Sequence, residues 1–122
     1  QDPEWREESL KEWQEMDECI FLSVRYEEGI SLDGPKYPMN IIAKVPFPFF
    51  GDEWVTARNK LDNKYWYNLT TAMLIQQACG RTTRGPEDFS ETWILDGSFG
   101  PFLNRYRGLF MSWFLEALRM RK

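Results

Sequence analysis

The fold is decided by one short apolar stretch and the residues that end it: Asn40-Ile41-Ile42-Ala43-Lys44-Val45, followed by Pro46 and Pro48. Apolar and β-branched residues dominate this stretch, which is typical of a strand. Proline cannot donate a hydrogen bond to a sheet ladder, so the two prolines stop the strand. We therefore predict a strand over residues 40–45.

Two further apolar runs predict two more strands, one on each side of this stretch. The runs are Cys19-Ile20-Phe21-Leu22-Ser23-Val24 and Thr92-Trp93-Ile94-Leu95-Asp96. Residues 25–40 contain glycines and prolines and are predicted to form a loop. No hairpin signal joins any two strands, so their connections are expected to be helical crossovers.

Helical patterns occupy the segments between and around these runs. Pro3 begins a helix that continues to about Glu15, and Asp52 caps a second helix that continues to about Leu61. A third helix begins at Asn68 or Thr70 and ends at Gly80.

A last amphipathic helix is predicted over residues 101–120. Its apolar positions recur every three or four residues: Phe102, Tyr106, Leu109, Phe110, Trp113, Phe114, Ala117 and Leu118. We interpret it as a helix that faces the core of the domain. The alternatives are a helix that fills a partner's groove and a helix that lies on a membrane surface.

This order of elements predicts an α/β fold with a mostly parallel sheet flanked by helices. Three strands are few for such a sheet. We therefore expect that further strands precede Gln1 or come from another chain.

Composition excludes several classes of function. The 122 residues carry a net charge of −4 and include no histidine, which excludes Ser-His-Asp catalysis and histidine-ligated zinc. Two cysteines, Cys19 and Cys79, are too few for a cysteine-only metal site, and we expect both to be reduced and buried. The absence of a signal peptide and of a long apolar segment predicts a cytoplasmic chain that does not enter a membrane.

The segment Gln77-Ala78-Cys79-Gly80-Arg81-Thr82-Thr83-Arg84 is the clearest chemical motif. Two arginines three residues apart at the end of a helix can bind the charge of a phosphoryl group that is being transferred. The alternative is a solvated turn whose arginines pair with Glu87 and Asp88. Spacing alone does not decide between these two readings.

Four segments in order resemble the DinG/XPD-type DNA helicases of superfamily two. Residues 77–84 resemble helicase motif six, and residues 28–34 resemble the "EGxDxxG" segment of motif five. Residues 44–49 resemble the "KLPFPxP" that follows motif five, and residues 94–96 resemble the "ILD" strand near the end of the domain. The likeness extends over about residues 5–99.

This resemblance implies that residues 1–122 form the distal part of a second RecA-like motor domain. It implies that Arg81 and Arg84 are arginine fingers, which reach ATP and Mg²⁺ that the first motor domain binds. Coupling between nucleotide and DNA would involve the following residues: Gln77, Gly80, Glu28, Gly29 and Ser31. The resemblance also implies that single-stranded DNA is the other partner and that the process is DNA repair. The location would be the cytoplasm, or the nucleus if the source is eukaryotic.

Tyr26 and Trp66 are the candidate DNA-binding residues. Trp66 lies between two tyrosines in a polar stretch and could stack on a base. The other tryptophans are expected to lie mainly in the core: Trp5, Trp13, Trp54, Trp93 and Trp113.

Two departures from the family pattern weaken the expected coupling. Ser31 and Ser98 occupy positions where the family has Asp and Arg. The sequence also contains no GxxxxGK[ST] phosphate-binding loop, so the isolated chain should not hydrolyse ATP. The alternative function is a binding module, derived from a helicase, that holds a protein or single-stranded nucleic acid without catalysis.

Overall fold

A computed structural model of the chain describes residues 3–17, 20–22, 38–80 and 90–120. The elements in these ranges are listed in chain order: α1 (Pro3–Glu15), β1 (Met39–Ile42), α2 (Glu53–Leu61), α3 (Tyr65–Cys79), β2 (Glu91–Ile94), α4 (Phe99–Arg105), a 3₁₀ turn (Arg107–Leu109) and α5 (Ser112–Ala117). Strands β1 and β2 pair in parallel. This pairing and the helices between the two strands confirm the α/β class with a parallel sheet.

The register of the sheet places four residue pairs side by side: Met39 with Glu91, Asn40 with Thr92, Ile41 with Trp93 and Ile42 with Ile94. Because side chains alternate along a strand, the second and fourth pairs share one face of the sheet. Asn40 on that face reaches the end of α3, and Ile94 packs against the hydrophobic core. This face is therefore the one that covers α3.

The predicted first strand over residues 19–24 is wrong for the part that the structure describes. Residues 20–22 adopt no strand, and Ile20 and Leu22 are 82% and 88% exposed. The Phe21 ring instead packs beside Trp13, 5.2 Å between centroids, at the end of α1. An apolar run predicts burial, but it does not specify which surface will cover it. Cys19, Ser23 and Val24 lie outside the described residues.

Helix α3 is the central element of the core. Its buried residues follow the spacing of one helical face: Asn68, Thr71, Ala72, Ile75 and Gln76. Ala72 and Ile75 join a cluster with residues from the loop after β1 and from the C-terminal segment: Val45, Phe99, Phe102, Leu103, Phe110 and Phe114.

Helix α3 begins earlier than predicted, at Tyr65 rather than at Asn68 or Thr70. Asn63 and Lys64 adopt left-handed backbone conformations, with φ of 52° and 70°, which turns the chain sharply after α2. The Asp62 carboxylate then accepts a hydrogen bond from the Trp66 N–H at 3.3 Å. A carboxylate that binds a free N–H of the first turn is a helix start signal, and here Asp62 supplies it.

The predicted single helix over residues 101–120 is wrong. The chain forms α4, the 3₁₀ turn and α5, with extended backbone at Phe110 and Met111 between the turn and α5. The centroids of the Phe99 and Phe114 rings are 6.3 Å apart. In a continuous helix, a separation of 15 residue steps would span roughly 22 Å, at about 1.5 Å per residue. Folding back therefore brings the phenylalanines together, and the expectation that this segment faces the core is confirmed.

Gln76 holds this break in place. Its Oε1 accepts the N–H of Met111 at 2.8 Å, and its Nε2 donates to the Ala72 carbonyl at 3.0 Å. Met111 is the N-cap residue directly before α5, so its N–H lacks a partner within the helix. One buried side chain on α3 thus satisfies the backbone where the C-terminal segment turns.

We predict that Gln76→Leu lowers the free energy of unfolding by about 1–3 kcal/mol, because it leaves the Met111 N–H without its partner. The measurement is urea unfolding of the 122-residue chain. Gln77→Leu, at the exposed neighbouring position, is the matched control and should stay within about 0.5 kcal/mol of wild type. Equal losses in the two variants would contradict this role for Gln76.

Candidate functional site

The end of α3 is the part of the motif over residues 77–84 that the structure describes. The helix ends at Cys79, and the Gly80 N–H donates to the carbonyls of Gln76 and Gln77 at 3.1 and 3.2 Å. The Gln77 side chain is exposed. Gly80 thus ends the helix as predicted, with Gln77 at the surface of its last turn.

Two residues of the sheet contact the last turn of α3. Asn40 Nδ2 donates to the Ala78 carbonyl at 2.8 Å, and the Thr92 side chain hydrogen bonds to the Cys79 thiol. Burial raises the pKa of Cys79 to about 12, and the bond from Thr92 opposes this rise. Cys79 is a free, half-buried thiol that packs against the core, as predicted.

Six of the predicted site residues lie outside the described residues. These are Arg81, Arg84, Tyr26, Glu28, Gly29 and Ser31. Their roles therefore stay predictions. Chain continuity alone fixes Arg81 as the residue that follows Gly80.

A second cluster forms where the two strands end. The Asp96 carboxylate accepts the N–H of Ser98 and the N–H of Val45, both at 2.9 Å, and the Ser98 hydroxyl at 2.8 Å. It therefore ties the loop after β1 to the loop after β2. These bonds lower the pKa of Asp96, chiefly through the Ser98 N–H and then the Val45 N–H, with the Lys44 charge adding a smaller effect.

The structure does not bring the two clusters together. Asn40 and Thr92 lie in the amino-terminal halves of their strands, whereas Asp96 follows a carboxyl end. In parallel sheets, ligands commonly bind at the loops that follow the carboxyl ends of the strands. In the described loops, Asp96 and Ser98 bond to the backbone and to each other.

Exposed aromatic rings form a surface around the start of α2. Phe49 and Trp54 are 75% and 62% exposed. Trp66 is half-buried, and its ring meets that of Trp54 edge-on at 5.0 Å between centroids. The expectation that Trp54 and Trp113 lie in the core is wrong, because both are exposed, and sequence periodicity does not show which helical face is covered.

The described residues form neither a metal-binding cluster nor a membrane-spanning helix. No group of three or more Cys, Asp or Glu side chains in the described ranges is placed to hold a metal ion. Among the helices of those same ranges, none is long and apolar enough to cross a membrane.

A family model described as the helicase C-terminal domain matches residues 1–117. This match covers nearly the whole chain, so the chain belongs to the helicase C-terminal domain family. The curated proteins gave no match, and the solved structures gave none either. A domain of this family implies a partner motor domain and a nucleic acid.

We predict that Asp96→Asn destabilises the chain in a pH-dependent way. The lowered pKa keeps the folded carboxylate ionised at a pH where the unfolded carboxylate is protonated. Its stabilisation is therefore fully present above the unfolded value of about 4 and is lost as the pH falls through the lower folded-state pKa. The measurement is the urea midpoint of wild type and D96N between about pH 7 and about pH 3. The difference should shrink on acidification, and a constant difference would contradict the prediction.

Proposed function

We propose that the chain is the distal part of the second RecA-like motor domain of a DinG/XPD-type DNA helicase. The observation that carries this proposal is that α3 ends inside the motif over residues 77–84. The helix ends at Cys79 and is capped by Gly80, and the family match includes all of residues 77–84. The parallel pairing of β1 with β2 across two helices agrees with this part of a RecA-like fold.

In this proposal Arg81 and Arg84 act on ATP that the first motor domain holds. Phosphoryl transfer places negative charge on the γ-phosphate oxygens, and a guanidinium that reaches them stabilises this charge. The sequence contains no phosphate-binding loop of its own, so ATP and Mg²⁺ would be bound mainly by the first domain. The isolated chain would then be inactive as an ATPase.

The other predicted residues would link the nucleotide to single-stranded DNA. We propose that Gln77 and Gly80 act beside the arginines, and that Glu28, Gly29 and Ser31 act between the nucleotide and the DNA. Tyr26 and Trp66 would contact the DNA. A role in DNA repair, in the cytoplasm or in a eukaryotic nucleus, follows only from the resemblance and belongs to the same proposal.

A second function is favoured by one observation, the exposed aromatic surface around Trp54. Two carboxylates, Asp52 and Glu53, adjoin Trp54 at the start of α2. Negative side chains repel phosphates, so this end of the surface suits a protein partner better than a nucleic acid. The second candidate is therefore a non-catalytic module that binds a protein.

We predict that Arg81→Ala or Arg84→Ala, made in the protein that contains both motor domains, lowers ATP turnover about a thousandfold or more. The thermal midpoint should not change, because the proposal gives these side chains a role at the ATP site and none in folding. The measurement is single-turnover ATP hydrolysis together with thermal unfolding. Arg107→Ala, at an exposed position in the 3₁₀ turn, is the control and should keep normal turnover. Near-normal turnover in both motif variants would refute the assignment.

We predict that Trp66→Ala weakens binding of single-stranded DNA by the chain roughly 5-fold to 150-fold, the loss expected when about 1–3 kcal/mol of base stacking is removed. Fluorescence anisotropy of a labelled oligonucleotide measures this loss. Trp113→Ala, an exposed tryptophan on α5, is the matched control and should bind like wild type. Unchanged binding by the folded Trp66→Ala variant would favour the protein-binding module.

A further inference from the structure

The last turn of α3 is held by side chains that come from two different strands. Asn40 on β1 and Thr92 on β2 are register partners, so they lie side by side on one face of the sheet. Asn40 Nδ2 donates to the Ala78 carbonyl at 2.8 Å, and Thr92 bonds to the Cys79 thiol. The two contacts fall on consecutive residues of the helix.

The Asn40 contact satisfies a backbone group that the helix itself leaves open. The last four carbonyls of an α-helix have no partner farther along the helix, and the Ala78 carbonyl is one of them. A side-chain donor at this place prevents fraying of the final turn. The position at which Gly80 leaves the helix is therefore fixed relative to the sheet.

We infer that Asn40 and Thr92 are positioning residues for the arginine segment that begins at Arg81. This inference rests on the proposed function, because it assumes that Arg81 acts on ATP. Arg81 is three residues beyond Ala78 and two beyond Cys79, so a shift of the last turn moves the start of the arginine segment. Displacing a catalytic group by about 1 Å can cost on the order of 100-fold in rate.

The opposite face of the sheet supplies a matched control. Met39 and Glu91 form the adjacent register pair, point away from α3 and are exposed. Substitutions there change the same two strands without touching the helix end. If activity is lost in the Asn40 and Thr92 variants but not in the Met39 and Glu91 variants, the loss is therefore due to the contact with α3.

The test uses the protein with both motor domains. Asn40→Ala and Thr92→Val should each lower kcat for ATP hydrolysis about 10-fold to 100-fold with little change in KM for ATP, because the fingers act on the transition state. Thr92→Ser keeps the hydroxyl and should retain near-normal kcat. Met39→Ala and Glu91→Gln should behave like wild type. Normal kcat in both Asn40→Ala and Thr92→Val would overturn the inference.

A double-mutant comparison separates positioning from a general effect on folding. If Asn40 acts through Arg81, Asn40→Ala combined with Arg81→Ala should be no slower than Arg81→Ala alone. A further 10-fold loss in the double variant would overturn the inference. Normal turnover in Arg81→Ala would instead refute the proposed function, so the two failures are distinguishable.

Hydrogen exchange of the 122-residue chain tests the contacts of Asn40 and Thr92 with α3 without any catalysis. Asn40→Ala and Thr92→Val should increase exchange at least 10-fold in peptides covering residues 76–80, where the Gly80 N–H is bonded to the helix. Peptides covering α5 should exchange as in wild type. Unchanged exchange at residues 76–80 in both variants would overturn the inference even if a variant were too unstable for kinetics.

Discussion

The structure depends on the seating of α3 between the sheet and the C-terminal phenylalanines. Thr71, Ala72 and Ile75 are completely buried on this helix, and the sheet and the phenylalanine cluster both pack around it. Because α3 is fixed on both sides, its end is fixed as well. The arginine motif begins at that end, so the packing of the core determines where the motif leaves the helix.

Two polar side chains bind backbone groups at points where a helix or the C-terminal segment changes direction. Gln76 binds the backbone at Met111, where the C-terminal segment folds back, and Asn40 binds the backbone at Ala78, where α3 ends. Polar groups inside a core are costly unless they are bonded, and both of these are bonded to backbone atoms that need partners. The same helix is thereby tied to the C-terminal segment and to the sheet.

Sequence reasoning predicted the features that depend on local patterns. The bounds of α1, the Asp52 cap of α2, the end of α3 at Gly80 and the parallel strands all follow from residues close in sequence. Tertiary contacts explain what it missed. The break at Phe110 and Met111 brings distant rings together, and Asn40 contacts a carbonyl 38 residues away, so neither feature has a periodic signal. The motif over residues 77–84 was visible in sequence, but its supporting residues were not.

In the proposed function, this chain contributes groups to an ATP site that another domain holds, and it contacts DNA itself. The decisive experiment is binding of the 122-residue chain to labelled single-stranded DNA and to ATP over a series of salt concentrations. We expect weak DNA binding that falls as salt rises, with no ATP binding, because the sequence has no phosphate-binding loop. Tight ATP binding, or no DNA binding at low salt, would contradict it.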